Sequence, residues 1–139
     1  MRVETGLLDT SVVTLLDRLR DSADLPRHPM ISTVTLAELS VGPLAAKSEA
    51  ERTARQAQLQ QVEADFDPIP FDTAAARAFG RVGASLRQAG RKPAARAYDA
   101  LIAAIALAND LPLFTCNPSD FVAIEGLVVV AVQQPDAKS

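Results

Sequence analysis

The chain has very few of the residues on which many active sites depend. Its 139 residues include one histidine, His28, which argues against a Ser-His-Asp triad and against a multi-histidine zinc site. The single cysteine, Cys116, excludes an intramolecular disulfide and is typical of a reducing compartment. Acidic, amide and hydroxyl side chains are therefore the first candidates for chemistry.

Long apolar runs and a strong charge imbalance are also missing. The longest fully apolar stretch, residues 100–108, is far short of the roughly 18 residues that a membrane span needs, and no signal-peptide pattern opens the chain. We therefore expect a cytoplasmic protein without membrane association. Fourteen basic and seventeen acidic residues argue against a wholly basic nucleic-acid coat, but they allow a local substrate-binding patch.

The residues that are present are enough for one ordinary domain. With 48% hydrophobic residues the chain can bury a sizeable core, which we place in a single domain over residues 1–132. Residues 133–139 are polar and are interrupted by Pro135, so we expect them to form a flexible tail.

Short apolar runs alternate with segments of helical composition or period. The predicted strands are residues 3–8, 30–34, 68–71, 113–115 and 127–132, and the predicted helices are residues 10–21, 35–42, 48–65, 72–88 and 98–109. This alternation predicts a three-layer α/β/α sandwich with a mostly parallel, about five-stranded central sheet. The Gly42-Pro43 pair is a strong breaker and is predicted to end the second helix.

Two acidic residues stand close to the predicted strand ends, where open α/β sheets collect functional groups. Asp9 directly follows the first strand and is either a helix N-cap or a functional carboxylate. Glu38 lies three residues after Thr35, the spacing of a capping box, yet its apolar neighbours predict a buried carboxylate that needs a charge partner or a metal. Both interpretations stay open for each residue.

Asp99 heads a helix that is otherwise almost entirely apolar, residues 98–109. The helix dipole stabilises a charge at this position by only about 0.3–1 kcal/mol at an exposed site. A partly buried Asp99 would still require a cation. The functional interpretation is therefore the stronger one for this residue.

The turn after the fourth predicted strand carries three oxygen ligands. Thr115, Asn117 and Asp120 supply a hydroxyl, an amide oxygen and a carboxylate, although an Asx-turn followed by a helix cap would use the same residues. Cys116 is interpreted as a packed side chain, because no histidine is near to activate it.

A basic run lies just before Asp99. Four of the ten residues from 87 to 96 are basic, namely Arg87, Arg91, Lys92 and Arg96. Such a run is either a solvated loop or, if Asp99 is catalytic, a patch that holds a phosphodiester backbone.

Taken in order, these segments resemble the four signatures of PIN domains. They are Leu7-Leu8-Asp9-Thr10-Ser11, Thr35-Leu36-Ala37-Glu38-Leu39, Asp99-Ala100-Leu101-Ile102-Ala103-Ala104 and Thr115-x-Asn117-x-x-Asp120-Phe121. The resemblance covers about residues 7–132. Within the family, the size and motif style are closest to the VapC toxins of bacterial toxin–antitoxin pairs.

The resemblance implies an endoribonuclease that hydrolyses RNA with a water activated by Mg²⁺ or Mn²⁺. Asp9, Glu38 and Asp99 match the three core acids of the family. The fourth position departs from the pattern, because Asn117 stands where many PIN domains have Asp. Either Asp120 takes over as a metal ligand, or Asn117 serves as a neutral ligand or positions a water.

Supporting residues and partners are implied as well. Thr10, Ser11 and Thr115 would orient the ligands or the phosphate. We expect a homodimer or a hetero-oligomer with a small VapB-like antitoxin, whose C-terminal segment would mask the acidic pocket. Helix 48–65 and the helix that carries Glu38 are the candidates for its groove.

Two other functions stay open. A PIN-like binding module that has lost competent metal binding would act only through its partner, and Asn117 in place of Asp is its main support. A small-molecule phosphatase on a similar fold is the weaker alternative. Such phosphatases carry Asp-x-Asp after the first strand, and here Ser11 stands at the third position.

Overall fold

A parallel sheet lies at the centre of the fold. The computed structural model describes residues 2–19 and 22–135, and within them the sheet has four strands: β1 (Thr5–Leu8), β2 (His28–Met30), β3 (Leu113–Thr115) and β4 (Val129–Ala131). Their order is β2-β1-β3-β4, and each neighbouring pair is parallel. Leu7 of the central strand β1 lies opposite Met30 on one side and Leu113 on the other.

The predicted α/β fold class is confirmed, with four strands in place of about five. Within the described ranges, residues 68–71 contribute only an isolated parallel bridge between Ile69 and Ser32. Ile69 donates its N–H to the Ile31 carbonyl at 2.9 Å and accepts from the Thr33 N–H at 2.9 Å. The pairing stops there because Ser32 already caps the next helix, which leads the chain away from the sheet.

Six α-helices accompany the sheet in the described part of the chain. They are α1 (Thr10–Val13), α2 (Leu16–Leu19), α3 (Thr33–Ala45), α4 (Glu49–Asp65), α5 (Thr73–Gln88) and α6 (Ala97–Ala108). Short 3₁₀ turns, Pro93–Arg96 and Pro118–Asp120, precede α6 and follow β3. The predicted helix over residues 10–21 is divided between α1 and α2. Its last two residues lie outside the described residues, as do residues 136–139 of the predicted tail.

Side-chain caps set where four of these helices begin. Asp9, Ser32, Ser48 and Asp72 each accept a hydrogen bond from the backbone N–H three residues further on. Each bond satisfies one of the N–H groups that the first turn of a helix leaves unpaired. Three of the predicted starts lie within one residue of the observed ones, whereas the start of α3, predicted at Thr35, is two residues too late.

Helix α3 runs through Pro43 to Ala45, so the predicted end at Gly42-Pro43 is wrong. Proline removes one backbone donor and crowds the preceding turn. Here that cost is confined to the last turn, because only two helical residues follow Pro43. The side chain of Arg55, on α4, donates to the Gly42 carbonyl at 2.9 Å and so satisfies an acceptor near the helix end.

The sheet separates two apolar cores. Leu7 and Leu8 are both fully buried and belong to different cores, because neighbouring residues of a strand point to opposite faces. Leu7 shares its core with Val82 of α5 and with residues 102–106 of α6, all fully buried. Leu8 shares the other core with Val12 of α1. No helix within residues 2–19 and 22–135 is long and apolar enough to cross a membrane.

Candidate active site

Asp9 is held firmly at the point where β1 passes into α1. Its backbone N–H donates to the Phe114 carbonyl at 3.0 Å, and its carboxylate accepts from the Val12 N–H at 3.2 Å and from the Ser11 hydroxyl at 2.6 Å. Asp9 is only 3% exposed. Burial raises the pKa of its carboxyl group, while these hydrogen bonds and one from Thr115 oppose the rise. Asp9 is therefore both a helix cap and a buried, oriented carboxylate.

Glu38 is oriented by hydroxyl groups rather than by a capping box. Because α3 begins at Thr33 with Ser32 as its cap, the capping-box interpretation of Thr35 and Glu38 is wrong. The Thr10 hydroxyl instead donates to Glu38 Oε1 at 2.7 Å, and it lies 3.0 Å from the hydroxyl of the fully buried Thr35. These bonds join α1 to α3 and set the direction of the Glu38 carboxylate.

Asp99 is the site residue whose pKa is affected by all the other charged groups of the site. It lies in the first turn of α6, and its pKa is raised from 3.8 to about 6. Burial is the largest cause, followed by the negative charges of Asp9 and Asp120; Arg96 opposes the rise, and Glu38 adds to it. Asp9 after β1, Glu38 in α3 and Asp120 in the turn after β3 therefore all act electrostatically on the Asp99 carboxyl group.

Arg96 is the positive partner of two of these acids. Its Nη1 lies 3.2 Å from Asp120 Oδ2 and 3.8 Å from Asp99 Oδ2. The basic run predicts that Arg96 contacts RNA, whereas its position as a counter-ion of Asp99 and Asp120 was not predicted from the sequence. The spacing of three residues to Asp99 was the available signal, because such pairs are neighbours on a helix surface. The Arg96 side chain is 64% exposed, so water screens the attraction.

The two candidates for the fourth position lie in different surroundings. Asp120 ends the 3₁₀ turn after β3, and its half-buried carboxylate is paired with Arg96. Asn117 precedes that turn and is exposed. Its backbone N–H donates to Thr115 Oγ1 at 2.9 Å, and it lines a separate surface depression beside Cys116. The structure thus places Asp120 beside Arg96 and Asp99, whereas Asn117 borders a different depression.

Ser11 links the ends of β1 and β3. Its hydroxyl donates to Asp9 and accepts from the backbone N–H of Cys116 at 3.1 Å. Burial and the charge of Asp9 raise the pKa of the Cys116 thiol, against the lowering effect of its hydrogen bond to Ser11. The thiol therefore stays protonated at neutral pH, which agrees with its interpretation as a packed side chain.

A cavity of about 490 Å³ opens beside Asp99 and Asp120, both of which line it. Three of the four predicted RNA contacts line it as well, namely Arg91, Lys92 and Arg96. Arg87, in the last turn of α5, does not. Cations thus border the acidic groups on one side, as a site that positions a phosphodiester requires.

The donor set suits a hard divalent cation in its chemistry. Asp9, Glu38, Asp99 and Asp120 offer carboxylate oxygens, which Mg²⁺ and Mn²⁺ prefer. The charges that raise the pKa of Asp99 produce a repulsion that such a cation would relieve. Over residues 2–19 and 22–135, no three His, Cys, Asp or Glu side chains stand as a ready-made ligand cage. The carboxylates would therefore have to draw together around the ion.

The fold and the site together define a class of α/β proteins with an acidic site at the carboxyl ends of parallel strands. The model of the PIN domain family matches residues 7–127 of this chain. The chain therefore belongs to the PIN-domain family.

Named relatives lie within this family. The chain is 40% identical over 129 residues to Ribonuclease VapC5 of Mycobacterium tuberculosis (strain ATCC 25618 / H37Rv), covering 91% of this chain and 93% of that protein. It is 38% identical over 104 residues to Ribonuclease VapC8 of the same strain, covering 75% and 92%. A solved structure from Mycobacterium tuberculosis, VapBC-5 of the VapBC family of toxin–antitoxin systems, matches with a TM-score of 0.77 and 38% identity. That match covers 92% of this chain and 98% of the other.

Proposed function

We propose that this chain is the toxin of a toxin–antitoxin pair and acts as a metal-dependent endoribonuclease that hydrolyses phosphodiester bonds of RNA. The observation that carries the proposal is the pairing of Asp99 and Asp120 with Arg96 beside a cavity that Arg91 and Lys92 also line. The charges of Asp9 and Glu38 act on the Asp99 carboxyl group as well. Acids crowded at the ends of buried parallel strands are suited to a divalent cation. The relatives named as ribonucleases support RNA as the substrate.

The proposed cofactor is Mg²⁺ or Mn²⁺, with Asp9, Glu38, Asp99 and Asp120 as its ligands. When bound, this ion supplies the activation of a water and the neutralisation of charge that develops on the phosphate. Asp120 is assigned to the fourth position because it shares Arg96 with Asp99. Asn117 is proposed to stabilise the loop after β3, where its backbone N–H donates to Thr115, rather than to bind the metal.

Three hydroxyl residues hold the acids in position. Thr10 directs the Glu38 carboxylate, and Ser11 and Thr115 both hydrogen bond to Asp9. These bonds orient Asp9 and Glu38 before any ligand arrives, so the rearrangement that closes the site around an ion falls mainly on Asp99 and Asp120. Arg91 and Lys92 at the cavity rim are assigned to the backbone phosphates of the RNA.

The proposed protein partner is a VapB-like antitoxin, in a hetero-oligomer or alongside a homodimer of the toxin. The similarity to a VapBC complex supports this assignment. Helices α3 and α4 are the proposed docking elements, and α3 carries the exposed apolar residues Val41 and Leu44. The C-terminal segment of the antitoxin would mask the acidic site. We accordingly propose that the protein acts in the cytoplasm.

The test is metal-dependent cleavage of RNA by the purified chain. With Mn²⁺ or Mg²⁺ we expect cleavage of structured RNA, and we expect EDTA or Asp99→Asn to abolish it. Asp110→Asn is the matched control, because Asp110 is exposed at the other end of α6 and Asn tolerates its positive φ. Cleavage that survives both EDTA and Asp99→Asn would contradict the proposal.

A binding module without catalysis is the second candidate. Asn117 at the fourth family position favours it, and so does the lack of a preformed three-ligand cage within the described residues. Calorimetric titration with Mn²⁺ separates the two functions. The enzyme should bind Mn²⁺ in a manner that depends on Asp9 and Asp99, whereas the module should not.

A further inference from the structure

The cavity beside the acidic site has an apolar floor and a charged rim. Its floor is formed by Leu86, Ala100, Phe121 and Ile124, each at most 7% exposed. These residues come from the end of α5, the start of α6 and the segment after β3. The metal site proposed above uses none of them, so the floor has no role in that chemistry.

A hydrogen bond connects two segments of the rim. Arg91 Nη1 donates to the Ser119 carbonyl at 3.0 Å, which ties the basic loop to the segment after β3. Gly90, with a φ of 77°, supplies the left-handed turn from which this loop departs. Lys92 and Arg96 complete the cationic side of the rim.

The acids and the floor belong to the same cavity. Asp99 and Asp120 line it together with the apolar residues, so a ligand on the floor also borders the acidic site. Its volume of about 490 Å³ lies within the range of small-molecule pockets, roughly 300–1,000 Å³. A ligand that fits must therefore combine an apolar, compact part with an adjacent anionic part.

We propose that this cavity takes one unstacked nucleobase of the RNA next to the scissile phosphate. The inference rests on the proposed ribonuclease function. A nucleotide meets both demands of the cavity, because its base is compact and weakly polar on its faces while its phosphates are anionic. The cations of the rim favour RNA over an apolar protein side chain, which would use the floor but leave Arg91 and Lys92 without a partner of opposite charge.

Binding of abasic RNA tests the inference directly. The probe is a short single-stranded RNA that contains a mapped cut site, with an abasic nucleotide placed at each position in turn. Its binding to the Asp99→Asn protein, which should bind RNA without cutting it, is followed by fluorescence anisotropy. We expect a roughly tenfold loss of affinity at one position beside the scissile bond and losses of less than about threefold elsewhere.

Variants that fill the cavity complete the test. Ile124→Phe and Leu86→Phe place a ring on the floor from different elements, and both are to be made in the Asp99→Asn protein. Val122→Phe is the matched control, because Val122 lies in the same segment but is 66% exposed and does not line the cavity. Thermal unfolding checks that each variant folds. Either filled variant should lose the dependence on that base, and the control should keep it.

The outcomes separate this inference from the proposed function. If intact RNA binds and is cleaved but no single abasic position matters, the base pocket is wrong and the ribonuclease function stands. If a folded variant with a filled cavity keeps the base dependence, the base is bound elsewhere and the inference is likewise overturned. If no RNA is bound or cleaved, both proposals fail.

Discussion

The carboxyl group of Asp99 makes the stability of the protein depend on pH. Its pKa is raised from 3.8 to about 6. Between roughly pH 4 and pH 6 the folded protein therefore holds a proton that the unfolded chain has released. The free energy of unfolding accordingly falls as the pH rises through this window, and the full cost of the ionised group is present above about pH 6.

Asp99→Asn should remove this cost. In the absence of divalent cations, we expect the variant to have a higher free energy of unfolding at neutral pH, by on the order of 1–2 kcal/mol. Near about pH 3 the difference should vanish, because Asp99 is then protonated in both the folded and the unfolded states. Urea denaturation at the two pH values measures it, with Asp110→Asn as the control. A variant that is less stable than the parent at neutral pH would contradict the assignment.

Single residues also show how far the site could be predicted. Asp9 and Asp99 were found because they stand at strand and helix ends, where position alone restricts their roles. The contact between Thr10 and Thr35 was not found, because it depends on how closely two helices approach. The sequence also left the fourth position open, since only the direction of the turn after β3 separates Asp120 from Asn117.

At the scale of the secondary-structure elements, a hydrogen bond from the Thr10 hydroxyl connects α1 to α3. Thr10 donates to Glu38 across 28 positions of the sequence. We expect Thr10→Val to lower the free energy of unfolding by about 1–2 kcal/mol, because the carboxylate loses a donor in a partly buried setting. Mn²⁺ binding should weaken about tenfold, because the carboxylate loses its orientation.

Chemical denaturation and calorimetric titration with Mn²⁺ measure the two effects of Thr10→Val. Thr14→Val is the control, since it removes an exposed hydroxyl that donates to the Ser11 carbonyl. The control should change stability by no more than about 0.5 kcal/mol. Equal effects of both variants on Mn²⁺ binding would show that Thr10 does not position Glu38.

The elements were predicted unevenly, for identifiable reasons. Strand β3 was predicted with its observed bounds, because a buried run meets an Asn-Pro turn. Helix α3 was misplaced at both ends. The observed start lies two residues before the predicted one. Ser32 and Thr35 are both good cap residues, and Ser32, which also forms the bridge to Ile69, is the one that caps the helix. The observed end lies beyond the predicted one. Pro43 is tolerated in the last turn, where the Gly42 carbonyl accepts a hydrogen bond from Arg55.

At the scale of the whole molecule, the two cores depend on the close approach of β1 and β3. A Cβ atom added to Gly6 would lie 2.6 Å from Cδ1 of the Phe114 ring, and even closer to a neighbouring ring atom. Phe114 is itself only 1% exposed, so the ring has little room to move.

Gly6→Ala should therefore destabilise the protein by about 1–3 kcal/mol through overpacking. Phe114→Leu combined with it should cost less than the sum of the two separate changes, because the smaller side chain relieves the clash. Gly83→Ala in α5 is the control, as nothing lies within 4 Å of its added Cβ, and it should be neutral or stabilising. Thermal and urea denaturation of the four variants measure these differences; strict additivity would exclude the clash.

The overall architecture was predictable because the alternation of strands and helices allows few parallel topologies. The length of the strand pairing at residues 68–71 was not predictable. Whether residues 68–71 form a strand or a single bridge depends on where the neighbouring chain leaves the sheet at Ser32.

The hydrogen bond from the Cys116 backbone to Ser11 spans 105 positions of the sequence. The acids that converge on Asp99 likewise extend from Asp9 to Asp120, almost the whole length of the chain. A ribosome therefore makes Asp120 long after Asp9, and β1 cannot pair with β3 until residues 113–115 have been made. A nascent chain that stops short of Asp120 therefore has its earlier helices but lacks one of the acidic residues that act on Asp99.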